Sequence, residues 1–206
     1  LHDSHRLDYY ELESNSTEFS PKFSRNESEV VLDVAIAESA TGQALLVVVH
    51  GDYLEVIDNE QATVGFEAPG EVFSLVAASG HLVAWADGTS SSPTVNVTSI
   101  SGSISISLVL DARASADEDE FLEEISGIAV DYSHAEVIDM DMDPSWVVAV
   151  VDVGPVNRTV LVNILTGEQS VLSDPKWESS SPSVAHGRVA FLQIPGWDPS
   201  LDPEEV

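Results

Sequence analysis

The chain has 206 residues, with 36 Asp and Glu against 7 Lys and Arg, which gives a formal net charge of −29. Nucleic acids and anionic lipids bind to clustered Lys and Arg, so this charge excludes both as partners. Hydrophobic residues make up 43% of the chain, enough to bury a core, and the absence of cysteine excludes disulfides and thiolate metal sites.

Residues 1–29 are polar and show no period of 2 or 3.6, so they are predicted to be a linker or the end of a preceding domain. From Val30 onward, short apolar runs of strand length alternate with turn residues such as Ser79-Gly80 and Thr166-Gly167. This pattern predicts antiparallel hairpins. The runs cover residues 30–37, 44–49, 53–58, 71–77, 81–87, 94–100, 103–110, 146–152, 159–165, 169–172 and 188–193.

Two segments depart from simple alternation. Residues 44–49 are apolar throughout, which predicts a strand covered on both faces. Residues 117–125 place Phe121, Leu122 and Ile125 three and four positions apart after an acidic first turn, which predicts a helix.

A strand, a tight turn and a strongly apolar strand recur in residues 31–49, 72–87, 137–152 and 181–193. Two further strands follow most copies, giving four strands in about 40 residues, the repeat of a β-propeller blade. We therefore predict an all-β fold. Residues 30–206 form a partial propeller of about three blades plus the start of a fourth, with an acidic insertion near 111–135. A propeller needs at least four blades, so we expect a fragment of a longer protein; the alternative fold is a β-sandwich.

Residues 140–152, 160–174 and 181–193 resemble TolB-type β-propeller repeats, with Thr166-Gly167-Glu168 in the place of the family's hairpin turn. The resemblance implies a repeat architecture and no particular activity. The repeats are similar to those of propellers in archaeal surface proteins, where acidic insertions between blades are common. Trp146 stands where the repeat has glycine after Asp-Pro-Ser, so the turn departs from the family pattern.

Asp139, Asp141 and Asp143 form a D-x-D-x-D run, which is the start of an EF-hand loop. Pro144 then occupies the sixth position and Val150 the twelfth, where that loop requires Gly and Glu. An exposed strand face is the favoured interpretation, with a weak calcium site as the minor one and no other cofactor predicted. The acidic residues are spread along the chain, which favours adaptation to salt, as in a halophilic or marine organism, over cation binding.

Four of the six asparagines lie in N-x-[ST] glycosylation sequons: Asn15, Asn26, Asn96 and Asn157. This share indicates a secreted or cell-surface chain. No run reaches the roughly 18 apolar residues of a membrane helix, so membrane insertion within the chain is not expected.

The sequence contains no G-x-S-x-G, H-E-x-x-H or phosphate-binding motif, so no catalytic or cofactor-binding residue is predicted. Trp85 and Trp146 are assigned to the core, whereas Trp177 and Trp197 are candidates for stacking on a ligand. We predict a non-catalytic propeller segment that binds protein or glycan or acts as a spacer. The alternative is the propeller domain of a multidomain, prolyl-oligopeptidase-like hydrolase whose catalytic domain lies outside this chain.

Overall fold

The computed structural model describes residues 5–9, 23–27, 31–50, 53–58, 61–67, 73–87, 92–113, 115–174 and 177–195. These residues form sixteen strands and one helix, so the predicted all-β class is confirmed. None of the helical residues among them forms a segment long and apolar enough to cross a membrane.

The strands pair antiparallel in chain order, each with its neighbour. The first two, β1 (His5–Tyr9) and β2 (Phe23–Glu27), form a two-stranded sheet. Three four-stranded sheets follow, which we call blades 1, 2 and 3. Blade 1 contains β3 (Asp33–Glu38), β4 (Ala44–Val49), β5 (Tyr53–Asp58) and β6 (Gln61–Glu67). Blade 2 contains β7 (Phe73–Ser79), β8 (Leu82–Asp87), β9 (Thr94–Ser99) and β10 (Ser105–Val109).

Blade 3 contains β11 (Glu136–Met142), β12 (Trp146–Asp152), β13 (Asn157–Asn163) and β14 (Gln169–Val171). The last two strands, β15 (Trp177–Ala185) and β16 (Arg188–Pro195), form a two-stranded sheet that we call half-blade 4. The first strands of successive sheets pack on one another: β3 on β7, β7 on β11 and β11 on β15. Sheets that follow one another around their first strands form a partial β-propeller rather than a sandwich, which confirms the predicted fold.

The second strand of each blade is apolar on both faces, and blade 2 is packed between blades 1 and 3. In β8, Leu82, Ala84 and Ala86 join the core shared with blade 3. Val83 and Trp85, which alternate with them, join the core shared with blade 1. The prediction that residues 44–49 form a strand covered on both faces is likewise confirmed, because β4 is buried from Leu45 to Val49.

The helix α1 (Ala116–Ser126) lies in the insertion between β10 and β11, where a helix was predicted. Ser115 caps its N-terminus in a reciprocal capping box with Glu118, and Gly127 ends it in a left-handed conformation with φ 68°. Leu122 is buried in the core between blades 2 and 3, so the helix is docked by packing as well as by its caps.

A buried ion pair fixes the insertion to blade 3. The guanidinium of Arg158, on β13, is fully buried and lies 2.8 Å from Asp119 Oδ1 of α1. It also donates to the carbonyl oxygen of Ala112 and to the hydroxyl of Tyr132, which itself donates to Asp119. The insertion is therefore held by a polar network around one buried charge.

Three strands were not predicted from the sequence. Strands β1 and β2 lie within residues 1–29, where we expected a polar linker or the end of a preceding domain. Strand β6 (QATVGFE) was also missed. The sequences HRLDY and FSRNE carry too few apolar residues to show a period of 2. The two strands are paired through their backbones.

Candidate functional site

The D-x-D-x-D run joins blade 3 to half-blade 4. Asp141 Oδ2 accepts hydrogen bonds from the backbone N–H of Val184, at 2.8 Å, and from the hydroxyl of Ser183, at 3.1 Å. Asp143 Oδ2 accepts from the backbone N–H of Gly187 at 3.2 Å. One carboxylate of β11 and one from the turn directly after it therefore accept from backbone amides of the next hairpin at separate points.

Asp139 is the third member of the run. Partial burial raises the pKa of its carboxyl group, although hydrogen bonds from the backbone amides of Met140 and Ser181 act in the opposite direction. The nearby carboxylates of Asp33 and Asp141 raise the pKa further. Asp139 thus also accepts a hydrogen bond from the backbone of β15, and its carboxylate is partly desolvated there.

The same kind of contact joins blades 1 and 2, where Asp33 Oδ2 accepts from the backbone N–H of Val76 at 2.8 Å. We call these carboxylate-to-amide contacts between successive inner strands the amide latches. Within the described ranges, no three His, Asp or Glu side chains are grouped so as to hold a metal ion, and Asp139, Asp141 and Asp143 form no such group. A weak calcium site there stays a prediction, and the latches account for the motif without one.

A cavity of about 500 Å³ lies beside these latches, at the turns that join the first and second strands of the sheets. We call this edge the inner rim. The turn of blade 2 contributes Ser79, and the remaining walls come from blade 3 and half-blade 4. Two shallower concavities continue along the rim, one sharing Ser79 and one sharing His186. The walls from blade 3 and half-blade 4 are Met142, Asp143, Pro144, Ser145, Trp146, Val184, Ala185, His186 and Gly187.

Asp143 shapes the blade 3 wall of this cavity. Its buried carboxylate accepts from the backbone amides of Ser145 and Trp146 at 2.8 and 2.9 Å, in addition to Gly187. These bonds hold the Asp-Pro-Ser-Trp turn in place, and they leave the indole of Trp146 half-buried at the cavity wall.

His186 shapes the wall that half-blade 4 contributes. His186 and Gly187 have φ values of 52° and 69°, so the two-residue turn between β15 and β16 has the left-handed geometry of a type I′ hairpin. The imidazole is exposed at the cavity. His81 does not occupy the equivalent position, because in its turn glycine precedes histidine, at Gly80.

Neither Trp146 nor His186 was predicted from the sequence to line a cavity. Trp146 was assigned to the core because it precedes an apolar run, yet it is the first residue of β12 and adjoins the turn. Its position directly after the Asp-Pro-Ser turn was the sequence signal that could have placed it at a turn rather than in the core. Trp85 is buried as predicted, Trp177 is 40% exposed at the start of β15, and Trp197 lies outside the described residues.

The other described histidines lie elsewhere. His50 is buried and stacks on Tyr53, with ring centroids 4.3 Å apart. His134 is exposed, and its Nδ1 lies 2.6 Å from Asp131 Oδ2. Hydrogen bonds from Ser133 and from His134 lower the pKa of Asp131 to about 2.

Two sequons lie in paired strands. Asn96 is half-buried in β9, and the hydroxyl of Thr98 donates to the carbonyl oxygen of Ile104 at 2.8 Å. Asn157 begins β13, where its amide donates to Glu178 Oε1 at 3.1 Å and Thr159 is fully buried. Glycosylation at either site stays a prediction and would have to precede strand pairing. The side chains of Asn15 and Asn26 lie outside the described part of the chain.

Comparison with known proteins gives no family assignment. No family model matches the chain, and no curated protein matches it. Solved structures that match at 12% sequence identity include Hsv2 from Kluyvelomyces marxianus, with a TM-score of 0.36 over 70% of this chain. They also include a protein described as TolB from Agrobacterium tumefaciens, with a TM-score of 0.33 over 87% of this chain. A puromycin-hydrolyzing peptidase from Mycobacterium tuberculosis gives 0.30 over 82%.

The chain spans 48% of the Hsv2 chain, 76% of the TolB chain and 35% of the peptidase chain. These three neighbours all have TM-scores below 0.5. They do not distinguish a TolB-type family from other propellers, and at such identity and TM-scores they carry no information on activity.

Proposed function

We propose that the chain is a non-catalytic binding module, a propeller segment of an exported or cell-surface protein, and that the inner-rim cavity accepts an uncharged glycan. The observation that supports this most is that Trp146 and His186, from two different turns, line the same cavity of about 500 Å³. Ligand sites of this kind occupy about 300–1,000 Å³ and combine an apolar surface with a few polar groups.

The chemistry of the walls favours a sugar. The half-buried indole of Trp146 offers a flat apolar face, and the imidazole of His186 offers a donor and an acceptor for hydroxyl groups. An anionic ligand would be repelled by a chain of net charge −29, which leaves neutral or cationic groups.

Asp143 is poorly suited to catalysis although it adjoins the cavity. Its carboxylate already accepts three backbone N–H bonds, from Ser145, Trp146 and Gly187. A carboxylate held in this way is an anchor for two turns, since both of its oxygen atoms already accept from backbone N–H groups. Binding without turnover is therefore the function that this geometry supports best.

The test is a screen of neutral oligosaccharides by glycan array, followed by titration calorimetry of the hits with the Trp146→Ala variant. Loss of an aromatic stacking surface worth about 0.5–1.5 kcal/mol, together with its buried area, should weaken binding by about tenfold or more. Trp177→Ala is the matched control, because Trp177 is exposed on β15 and does not line the cavity.

Equal losses in the two variants would place the sugar outside the inner rim. Binding of basic peptides with no binding of sugars would indicate that the partner is a protein and not a glycan. The absence of any ligand would favour a spacer, and turnover of peptide substrates by this chain would contradict the non-catalytic assignment.

A further inference from the structure

Three concavities lie side by side along the inner rim. The middle one is the cavity of about 500 Å³ that Trp146 and His186 line. The first concavity, of about 380 Å³, is lined by blades 1 and 2, and the third, of about 560 Å³, is lined by half-blade 4. Ser79 lines the first and the middle concavity, whereas Ala185 and His186 line the middle and the third. Neighbouring concavities therefore adjoin at a shared hairpin turn.

The two outer concavities have the same kind of lining as the middle one, in which an apolar side chain and a hydrogen-bonding group occur together. The first is lined by Ile36, which is 59% exposed, and by Glu38, which is also exposed. The third is lined by the half-buried Val189 and by the exposed Arg188. The rim thus repeats one type of surface three times.

This lining suits the hydroxyl groups and the apolar ring faces of sugars. The guanidinium of Arg188 has five N–H donors in a planar fork, which can bond to two hydroxyl oxygens at once. The carboxylate of Glu38 accepts from hydroxyl groups. Ile36 and Val189 offer apolar surface to the carbon face of a sugar ring. A row of similar linings fits a ligand that repeats the same unit.

The rim is long, and its turns are fixed to one another. Packed sheets lie about 10 Å apart and the rim crosses four of them, so it is longer than one sugar ring. The backbone N–H of Glu38 donates to the carbonyl oxygen of Gly80 at 2.6 Å, which joins the turns of blades 1 and 2. The backbone N–H of Gly187 donates to Asp143 Oδ2 at 3.2 Å, which joins the turns of blade 3 and half-blade 4. A surface held in this way loses little conformational freedom when an extended ligand binds.

We infer that the inner rim binds a linear, uncharged oligosaccharide, with sugar units in all three concavities. The inference rests on the proposed function, because the middle concavity is the same site, and it adds the shape and the minimum length of the ligand. The sugar unit in the middle concavity contacts Trp146, and the units on either side of it contact Ile36 and Arg188. A monosaccharide fills one concavity, so it uses only part of the site.

The experiment is titration calorimetry with the linear oligomers of glucose, mannose, xylose and N-acetylglucosamine, each as a series from the monosaccharide to a chain longer than the rim. For the sugar that binds, we expect the affinity to rise with chain length by about tenfold or more. It should then level off, because all three concavities are filled. Trp146→Ala should weaken binding at every chain length, since its concavity holds even the shortest ligand.

Two variants test the two ends of the rim. Arg188→Met removes the donors of the third concavity and should weaken the binding of long chains by about tenfold. Ile36→Ser removes apolar surface from the first concavity and should weaken it by about three- to tenfold. Neither should change the affinity of the shortest chain that binds. Arg113→Met and Val109→Ser are the matched controls, because both residues are exposed and line none of the three concavities.

The outcomes separate this inference from the proposed function. Circular dichroism spectra of the end variants and their controls should match that of the parent chain, since the replaced side chains are exposed. An affinity that does not depend on chain length, yet falls in Trp146→Ala, would overturn the inference and leave the proposed function standing. A gain with chain length that survives Arg188→Met and Ile36→Ser would also overturn the inference, because the added units would lie outside the rim. Failure of every series to bind would overturn both.

Discussion

Replacing Asp119 by asparagine leaves the buried guanidinium of Arg158 without its carboxylate partner. The side chain of Arg158 is 1% exposed and that of Asp119 is 21% exposed, so the positive charge has almost no access to water. The carbonyl of Ala112 and the hydroxyl of Tyr132 still accept from it, but neither carries the compensating charge.

Removing one partner of a buried ion pair costs about 3–5 kcal/mol. Asp119 retains some contact with solvent, and two neutral acceptors remain for Arg158. We therefore expect the free energy of unfolding to fall by the lower end of this range, about 3 kcal/mol. That is a large share of the roughly 5–15 kcal/mol that stabilises a folded domain. Arg158→Met combined with Asp119→Asn removes both charges and should cost much less than the two single changes added together.

Urea unfolding followed by tryptophan fluorescence measures the effect. With a slope of about 1–3 kcal/mol per molar urea, the midpoint should fall by about 1–3 M. Asp117→Asn is the matched control, since Asp117 lies exposed in the first turn of the same helix and should cost less than about 1 kcal/mol. A loss below about 0.5 kcal/mol for Asp119→Asn would refute the argument, because the guanidinium would then be solvated without its partner.

Four further substitutions test the latches and the rim. Burial raises the pKa of Asp139, so the stability that this group contributes is present below its unfolded pKa and is lost as pH rises through its folded pKa. Asp139→Asn should therefore raise the melting temperature at pH 7 and change it little at pH 3; a lower value at pH 7 would mean that its amide bonds outweigh its desolvation. Asp141→Ala removes the acceptor of the Val184 amide and should speed hydrogen exchange at that amide, whereas unchanged exchange would show that strand pairing alone protects it. His186→Gly relieves a left-handed residue and should stabilise the chain by about 1 kcal/mol in thermal unfolding, while Gly187→Ala should destabilise it.

Apart from β6, the strands from residue 31 onward and the helix could be predicted because their signals are local. Apolar alternation, turn glycines and the acidic first turn of the helix all lie within a few residues of the elements that they specify. Strand β6 has the same local signal, since Ala62, Val64 and Phe66 take alternate positions, and it was missed although the signal was present. Strands β1 and β2 have few apolar residues, so local alternation could not reveal them.

The candidate site was harder to predict because its contacts are distant in the sequence. Asp141 and Val184 are 43 residues apart, and nothing beside Asp141 shows that its carboxylate accepts from a backbone amide rather than from a cation. Trp146 looked like a core residue because the run after it is apolar. Only the tertiary arrangement of two turns, from blade 3 and half-blade 4, brings it to the same cavity as His186.

The amide latches from Asp33 to Val76 and from Asp141 to Val184 both span 43 residues, the length of one repeat. Each latch can therefore close as soon as one further repeat has left the ribosome, without waiting for the rest of the polypeptide. At these two junctions, the following blade would find its carboxylate acceptor already in place as it is synthesised. A repeat gained or lost by gene duplication or deletion elsewhere in the chain would leave both of these contacts intact.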